Sequence, residues 1–536
     1  MNTATISFSA SGSSLIGYAE ATHRGNSFQA RDAFSKELLP GIFYQASPEE
    51  LFLVASQALQ AFDGMSRASA SLRILFLRRL TNKLEAMKGG ILERARQETA
   101  LSEVRLESEF SRTINQIGSF IRLLEEGSWV NASLDVSYKA DGTLLRNIRK
   151  MYVPVGPVLV FAAGNFPLAF SVAGGDTIAA IAAGCSVIVK VHNGHPGTSA
   201  LVGKAMAEAG RETGMPDGFF SLVYDTGFEA GLTLAEDPYI KAVAFTGSLE
   251  GGIALMRTVS MRPDPIPVFA EMGSLNPVLL LPEALKRRGA EVAAAFASSI
   301  AQGCGQFCTR PGLFLALKGK DLEAFAEKLH THFSGLLPQA MLSPTTTLNF
   351  QAKIHKHLRD NRDIKIRETT HNSDGMQTPS FATTDSETFR AQPSLQHEFF
   401  GPFALIICCT DVEDLLATAK TLSGQLTATV VGEGAELTAF SRHIDVLKSK
   451  SGRIIFNGIP TGVEVCPSMH HGGPFPAASS SFYSAVGVDS IQRFVRPLCF
   501  QSFPEQLLPE ELKDENKLNI LRRVNGVPGR QAIVKD

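Results

Sequence analysis

The sequence predicts an α/β fold made of two parallel-sheet domains and a β arm, and three observations carry that reading. From Gly156 onward, short apolar runs (Val158–Ala163, Ser186–Val191, Phe219–Tyr224, Ala242–Thr246) alternate with helical stretches about 25 residues apart, the rhythm of βαβ units. A second cycle runs through Val278–Leu281, Leu313–Leu317, Ala404–Cys408, Ala428–Val431 and Arg453–Asn457. Between the helical start of the chain and the first cycle, Leu134–Val153 alternates as a β-hairpin does, with a turn at Asp141-Gly142.

The elements can be justified in order. Ser47-Pro48-Glu49-Glu50 supplies an N-cap, a proline at the first helical position and a glutamate three residues after the cap. Leu51, Val54, Ala55, Ala58, Leu59 and Phe62 then keep helical spacing. Two more amphipathic helices are expected, from about Ser69 to Lys88 and from about Arg105 to Glu126. In the second cycle a helix is expected near Ala290–Ala301, and a late strand near Phe494–Phe500 lies beyond it. Leu342–Gln396 reads as loop-rich surface, and the charged stretch after Glu505 as helical at most.

Composition narrows the function. The 536 residues hold 51 Lys+Arg against 53 Asp+Glu, a formal net charge of −2, without the basic footprint of a nucleic-acid binder. No apolar run reaches the roughly 18–20 residues of a membrane helix. Met1–Asn26 has no cationic segment ahead of an apolar core, so a soluble cytoplasmic protein is expected. The seven cysteines form no Cys-x-x-Cys pair, which argues for a reducing compartment and against a disulfide framework or structural zinc. Most are expected to be buried as small hydrophobes.

Four segments could carry chemistry. Gly303-Cys304-Gly305-Gln306-Phe307-Cys308-Thr309 could present a thiol at a tight turn, or pack a dense helix–strand junction. Glu271, in Phe269-Ala270-Glu271-Met272-Gly273, could be an enclosed carboxylate of raised pKa and a general base, or a solvated strand end. Asn165 follows a strand, where an amide can stabilise an oxyanion or cap a helix. Phe245-Thr246-Gly247-Ser248-Leu249-Glu250-Gly251-Gly252 opens a helix whose backbone N–H groups suit a phosphate, yet it matches neither G-x-G-x-x-G nor a P-loop.

Together with Lys190 at a strand end and Glu398-Phe399-Phe400-Gly401-Pro402 further on, these segments closely resemble the aldehyde dehydrogenase superfamily over nearly the whole chain. Lys190–Ser199 and the stretch from Phe456 to Pro474 are similar to one branch, the bacterial α-ketoglutarate semialdehyde (2,5-dioxovalerate) dehydrogenases and related NADP-linked fatty aldehyde dehydrogenases. The resemblance implies Cys308 as nucleophile forming a thiohemiacetal and then a thioester, with hydride transfer to NADP or NAD. It implies Asn165 and the Cys308 N–H as the oxyanion site and Glu271 as the base that activates water. It also implies Lys190 at the adenosine ribose, Gly247, Ser248 and Gly252 at the pyrophosphate, and Glu398 and Phe400 at the nicotinamide end. Asn193 stands where NAD-preferring members often have Glu, and a neutral amide would not repel a 2′-phosphate. Arg211 could stack on adenine or pair with that phosphate, or be a solvated helix-end cation. No metal is suggested; His192 and His195 read as turn residues.

For a dicarboxylic semialdehyde, Arg112 and Arg310 are the cation candidates, and Phe166, Phe170 and Phe307 would line a tunnel that also suits aliphatic aldehydes. The resemblance implies a cofactor domain (1–133 and 153–273), a catalytic domain (274–475), an oligomerisation arm (134–152 and 485–504) and a C-terminal tail (505–536). A homodimer or homotetramer is expected, with α-ketoglutarate semialdehyde as substrate, a fatty aldehyde as the alternative and a non-catalytic binding role as the reading from another class.

Overall fold

The computed structural model describes residues 11–22, 25–138, 144–359, 361–369 and 375–533. Three helices open it: α1 (Pro48–Arg67), α2 (Ala70–Thr99) and α3 (Glu103–Glu126). The α1 capping box forms as the sequence demands, with Ser47 Oγ accepting from Glu50 N and Glu50 Oε2 accepting from Ser47 N. Helix α2 runs eleven residues past the expected end at Lys88. Gly89 and Gly90 are open to solvent, and the buried Ile91, Arg94, Ala95 and Glu98 carry the inner face across them. Burial of that face outweighs a propensity cost of about 1 kcal/mol per glycine.

The arm hairpin is β1 (Ser133–Tyr138) and β2 (Leu144–Pro154), antiparallel; its expected Asp141-Gly142 turn lies outside the described residues. The first βαβ cycle follows as β3 (Val158–Phe161), α4 (Gly175–Ala183), β4 (Val187–Lys190), α5 (Pro196–Thr213), β5 (Phe220–Val223), α6 (Glu229–Glu236), β6 (Ala242–Thr246), α7 (Leu249–Ser260) and β7 (Val268–Glu271). These strands pair in parallel in the order β7-β6-β3-β4-β5. The order reverses between β6 and β3, and an α/β sheet opens its crevice at the carboxyl ends of such strands.

The second cycle is β8 (Pro277–Leu280), α8 (Pro282–Ala301), β9 (Leu313–Leu317), β10 (Ser380–Asp385), β11 (Phe403–Cys409), β12 (Gln425–Val431) and β13 (Ser451–Phe456). They form a parallel sheet ordered β10-β11-β9-β8-β12-β13, with an antiparallel strand, Lys365–Arg367, outside β10. Each sheet is packed by apolar clusters on both faces, so its central strands β3, β8 and β9 are apolar throughout rather than alternating. Among the described residues no helix is long and apolar enough to cross a membrane.

Two stretches differ from expectation. Leu342–Gln396 holds a helix, Pro344–Ile354, and contributes β10 to the second sheet. Four of the six residues of Ser380–Asp385 are Ser, Thr or Asp in place of apolar residues, so its strand character comes from pairing with its neighbours. The tail after Glu505 contains β15 (Arg522–Val524) and β16 (Val527–Gly529), which extend the arm sheet β14-β2-β1-β15-β16, where β14 is Val495–Gln501. Asn525 and Gly526 both take positive φ in a two-residue hairpin turn, a signal the sequence carried and a charge-based reading overlooked. Asn525 also exchanges hydrogen bonds with the Val136 backbone, fastening the tail to the arm. Of the seven cysteines, all free, only Cys185, Cys304 and Cys409 are buried; Cys499 is exposed.

Candidate active site

The loop after α8 turns sharply: Gly303, Cys304 and Gly305 all take positive φ. At Gly305 a β-carbon would lie 2.3 Å from the Gly401 carbonyl, so only glycine lets this loop meet the 398–402 segment. Cys304 is buried, with Sγ 3.6 Å from the Gln339 carbonyl, a packing position. Cys308, four residues on, is half-exposed, and Asn276 holds its loop by donating to the Cys308 and Arg310 carbonyls at 2.9 Å each.

Glu271 ends β7, where its backbone pairs with Thr246 of β6 and bridges to Ala478. Its carboxylate Oε1 lies 3.0 Å from His471 Nε2, and the same nitrogen is 3.5 Å from Cys308 Sγ. Burial pushes the Glu271 carboxyl up, but His471, Arg493 and the neighbouring thiol hold it below its ordinary value. The expectation of a raised carboxyl is therefore corrected: a buried carboxylate paired with an imidazole stays ionised. Burial and the Glu271 charge push the Cys308 thiol well above its ordinary value, with Arg112 opposing. The resting site is thus a thiol facing a carboxylate and an imidazole, and a proton has to leave Sγ before it can attack a carbonyl. His471 was given no role from the sequence; the His470-His471-Gly472-Gly473 run was the available signal. Ser484 and Ala485 fix its backbone on both sides.

Asn165 follows β3 and does not cap α4, whose N-cap is Gly174. Its amide Nδ2 donates to the Gln306 carbonyl at 3.0 Å, two residues before Cys308. The loop that carries it is held on both flanks. Glu109 of α3, ion-paired with Arg105 at 2.7 Å, accepts the Leu168 and Ala169 N–H groups at 2.9 Å. His195 Nε2 lies 2.9 Å from the Ala163 carbonyl, and the His192 ring packs under Gly164.

The cofactor candidates separate into two groups. Lys190 Nζ reaches the Gly227 and Asp225 carbonyls, and Asn193 Nδ2 donates to the Thr226 carbonyl, so both face one loop at the ends of β4 and β5. Arg211 does not join them and is corrected. It lies in the last turn of α5, a helix of 18 residues or about 27 Å, whose other end follows Asn193. There it donates to the Tyr18 carbonyl and covers the Tyr18 ring.

Two helix N-termini could receive an anion. That of α5 is taken by Glu98, whose carboxylate accepts the N–H groups of Gly197 and Thr198. That of α7 is exposed at Gly247 and Ser248, and Ser248 Oγ caps Gly251 N. Here the Glu250 carboxylate folds onto its own N–H and toward Ser248, and with Lys353 nearby sits below its ordinary pKa. The arrangement fits a pyrophosphate, an anion on the same pole. Gly252 faces inward, since a β-carbon there would strike Met272 Sδ at 2.4 Å; it lets α7 approach β7 and presents nothing to a ligand. Glu398 lies against Gly273, and Lys353, from the stretch read as loop, reaches the Glu398 carbonyl at 3.4 Å. Phe400 is half-buried two residues on.

Phe166, Phe170 and Phe307 form one apolar cluster beside Asn165 and Cys308. Two guanidiniums from α3 lie on it: Arg105 over Phe166 and Phe307 at 4.5 and 5.0 Å, and Arg112 over Phe170 and Phe166 at 5.5 and 5.9 Å. Both leave a buried Nε without a partner. Burial lowers the Arg112 pKa, with Cys308 and Glu109 opposing. Arg310 is corrected: it is buried and donates to the Phe399 and Phe403 carbonyls, so it braces the 398–403 segment and does not face the cleft.

The profile of the Aldehyde dehydrogenase family matches residues 23–494. The chain is 42% identical over 489 residues to the α-ketoglutaric semialdehyde dehydrogenase of Acinetobacter baylyi, covering 91% of this chain and 93% of that one. It is 40% identical over 521 residues to α-ketoglutaric semialdehyde dehydrogenase 2 of Azospirillum brasilense, covering 96% and 99%. A crystal structure of 1-pyrroline-5-carboxylate dehydrogenase from Thermus with bound NAD superposes with a TM-score of 0.78 at 18% identity, covering 92% and 93%. The chain belongs to the aldehyde dehydrogenase family.

Proposed function

We propose that the protein oxidises α-ketoglutarate semialdehyde to 2-oxoglutarate, with NADP or NAD as hydride acceptor. The observation that carries the chemistry is the half-exposed Cys308 thiol 3.5 Å from His471, which in turn is 3.0 Å from Glu271. Glu271, which also accepts from His471, takes the thiol proton and passes it to solvent, and the thiolate adds to the aldehyde carbon. The Asn165 amide has a second hydrogen, beyond the one given to Gln306, for the oxygen that becomes negative. After oxidation leaves a thioester, Glu271 takes a proton from the water that cleaves it.

NAD(P), when bound, supplies the hydride acceptor. Its pyrophosphate would rest on the α7 N-terminus once Glu250 turns away, with Lys190 and Asn193 at the adenosine end and Glu398 and Phe400 at the other. The absence of a carboxylate at Asn193 supports acceptance of the 2′-phosphate. Substrate choice rests on Arg112 and Arg105, whose unsatisfied N–H groups suit a distal carboxylate. A long alkyl chain in the same tunnel would leave them unpaired, which disfavours a fatty aldehyde. A structural role without catalysis would not call for the assembled Cys308, His471 and Glu271.

The arm supports an oligomer. β14 is an edge strand of the arm sheet, while β13, the open edge of the second sheet, exposes Ile454 and Phe456. A second copy of the arm on that edge would close both. A thiol nucleophile suits a reducing, cytoplasmic setting.

The test is a substrate panel of α-ketoglutarate semialdehyde, succinate semialdehyde and hexanal run with both cofactors on wild type, Cys308→Ser and Arg112→Gln. We expect highest kcat/KM on the keto acid, its selective loss in Arg112→Gln, and no turnover in Cys308→Ser. Hexanal preferred by wild type would overturn the substrate reading, and an active Cys308→Ser the mechanism.

A further inference from the structure

Glu271, Cys308 and His471 bring a carboxylate oxygen, a thiol sulfur and an imidazole nitrogen within 4.8 Å of one another. These are the ligand types zinc selects, and the sequence spacing had suggested no metal. Tetrahedral Zn²⁺ with ordinary bond lengths places S and N about 3.5 Å apart and N and O about 3.3 Å apart. The observed separations are 3.5 Å from Sγ to Nε2 and 3.0 Å from Nε2 to Oε1. The Glu271 Oε2 is buried with no donor on it, so the carboxylate has free lone pairs, while Oε1 and His471 Nε2 would exchange their mutual hydrogen bond for the metal. His471 and Glu271 are buried, and of the three only Cys308 has some exposure, so an ion would reach the site from the Cys308 side.

We infer that the resting enzyme is an inhibitory binding site for Zn²⁺, held by Cys308, His471 and Glu271. Binding displaces the thiol proton to solvent as the S–Zn bond forms, and the His471 ring proton moves from Nε2 to Nδ1 through solvent as the N–Zn bond replaces the hydrogen bond to Glu271, with no redox change. The thiolate and the carboxylate together neutralise the dication. Arg453 and Arg493 nearby are already engaged, with the Pro460 carbonyl and Asp176, while Arg112 opposes the cation. The bound metal takes both the nucleophile and the base of the proposed reaction, so inhibition is complete at one ion per chain. The site would also make the protein sensitive to free zinc at a residue pair, Cys308 and His471, outside the sequence signature of a zinc motif.

The test uses the full chain without cofactor, titrated with Co²⁺ as a spectroscopic probe and with Zn²⁺ in competition. We expect one Co²⁺ per chain, tetrahedral visible bands, and a thiolate-to-cobalt charge-transfer band that Zn²⁺ abolishes. Cys308→Ser should lose the charge-transfer band, and His471→Gln should bind at least ~10-fold more weakly. Zn²⁺ should also protect Cys308 from iodoacetamide in wild type, a readout independent of any variant's folding or of the substrate. Absence of stoichiometric Co²⁺ binding, a charge-transfer band surviving in Cys308→Ser, or undiminished alkylation under Zn²⁺ would each overturn the site. None of these readouts depends on which aldehyde is oxidised.

Discussion

The side-chain amide of Asn165 donates to the Gln306 carbonyl at 3.0 Å, tying the loop after β3 to the loop that carries Cys308. The bond spans the two sheets and sets where an aldehyde oxygen can lie relative to the thiol. Asn165→Ala is expected to lower kcat by ~10²–10³ in steady-state assays. Asn165→Asp keeps the volume but loses the donor, so it should fall as far. Near-normal turnover in either variant would remove the amide from the oxyanion site.

Glu109 has a fully buried side chain and satisfies Arg105 and two backbone N–H groups of the Asn165 loop. Glu109→Ala leaves a largely buried guanidinium and two amides unpaired. It should cost about 3 kcal/mol of stability in denaturant titration. Glu109→Gln should recover part of that loss, because its carbonyl in the Oε1 position still accepts both backbone N–H groups and only the pairing with Arg105 is lost.

Glu250 competes with any anion at the start of α7, since its carboxylate already uses that pole. Glu250→Ala should bind NAD and NADP about two- to fivefold more tightly in fluorescence titration, the size of a charge effect at a helix end. Both cofactors should gain equally, because the pyrophosphate is common to them.

Burial pushes the Glu398 carboxyl up to about 7, against an ordinary 4.5, with Arg310 and Lys353 opposing. Between those values the folded protein holds a proton that the unfolded chain has released. Stability without cofactor therefore falls as pH rises through that window, and the penalty is complete above about 7. Glu398→Gln removes the penalty, so the Tm of the variant minus that of wild type should grow with pH across the window and then level off. A pH-independent difference would show that Glu398 does not titrate there.

Much of the fold was legible because its signals are local. The capping box at Ser47 and the apolar runs of β3, β4 and β8 are decided by neighbours a few residues away. β10 was not legible, since Ser380–Asp385 becomes a strand through its partners Phe403–Cys409 and Lys365–Arg367. The hairpin at Asn525-Gly526 has a local signal, a turn pair whose two residues take positive φ, set within a charged stretch that otherwise lacks strand patterning.

At the site, the sequence by itself offered the reactive groups and the strand ends that present them, and the family resemblance singled out Cys308, Glu271, Asn165 and Ser248 among them. Only the tertiary structure decided how they act. His471 meets Glu271 across 200 residues of chain, and that meeting keeps the carboxylate ionised. The length of α5 takes Arg211 away from Lys190, and Arg310 turns beneath the Phe399 and Phe403 carbonyls while Arg105 and Arg112 meet the phenylalanine cluster. Distance between residues far apart in the chain has no counterpart in local spacing, and electrostatics depends on that distance and on burial.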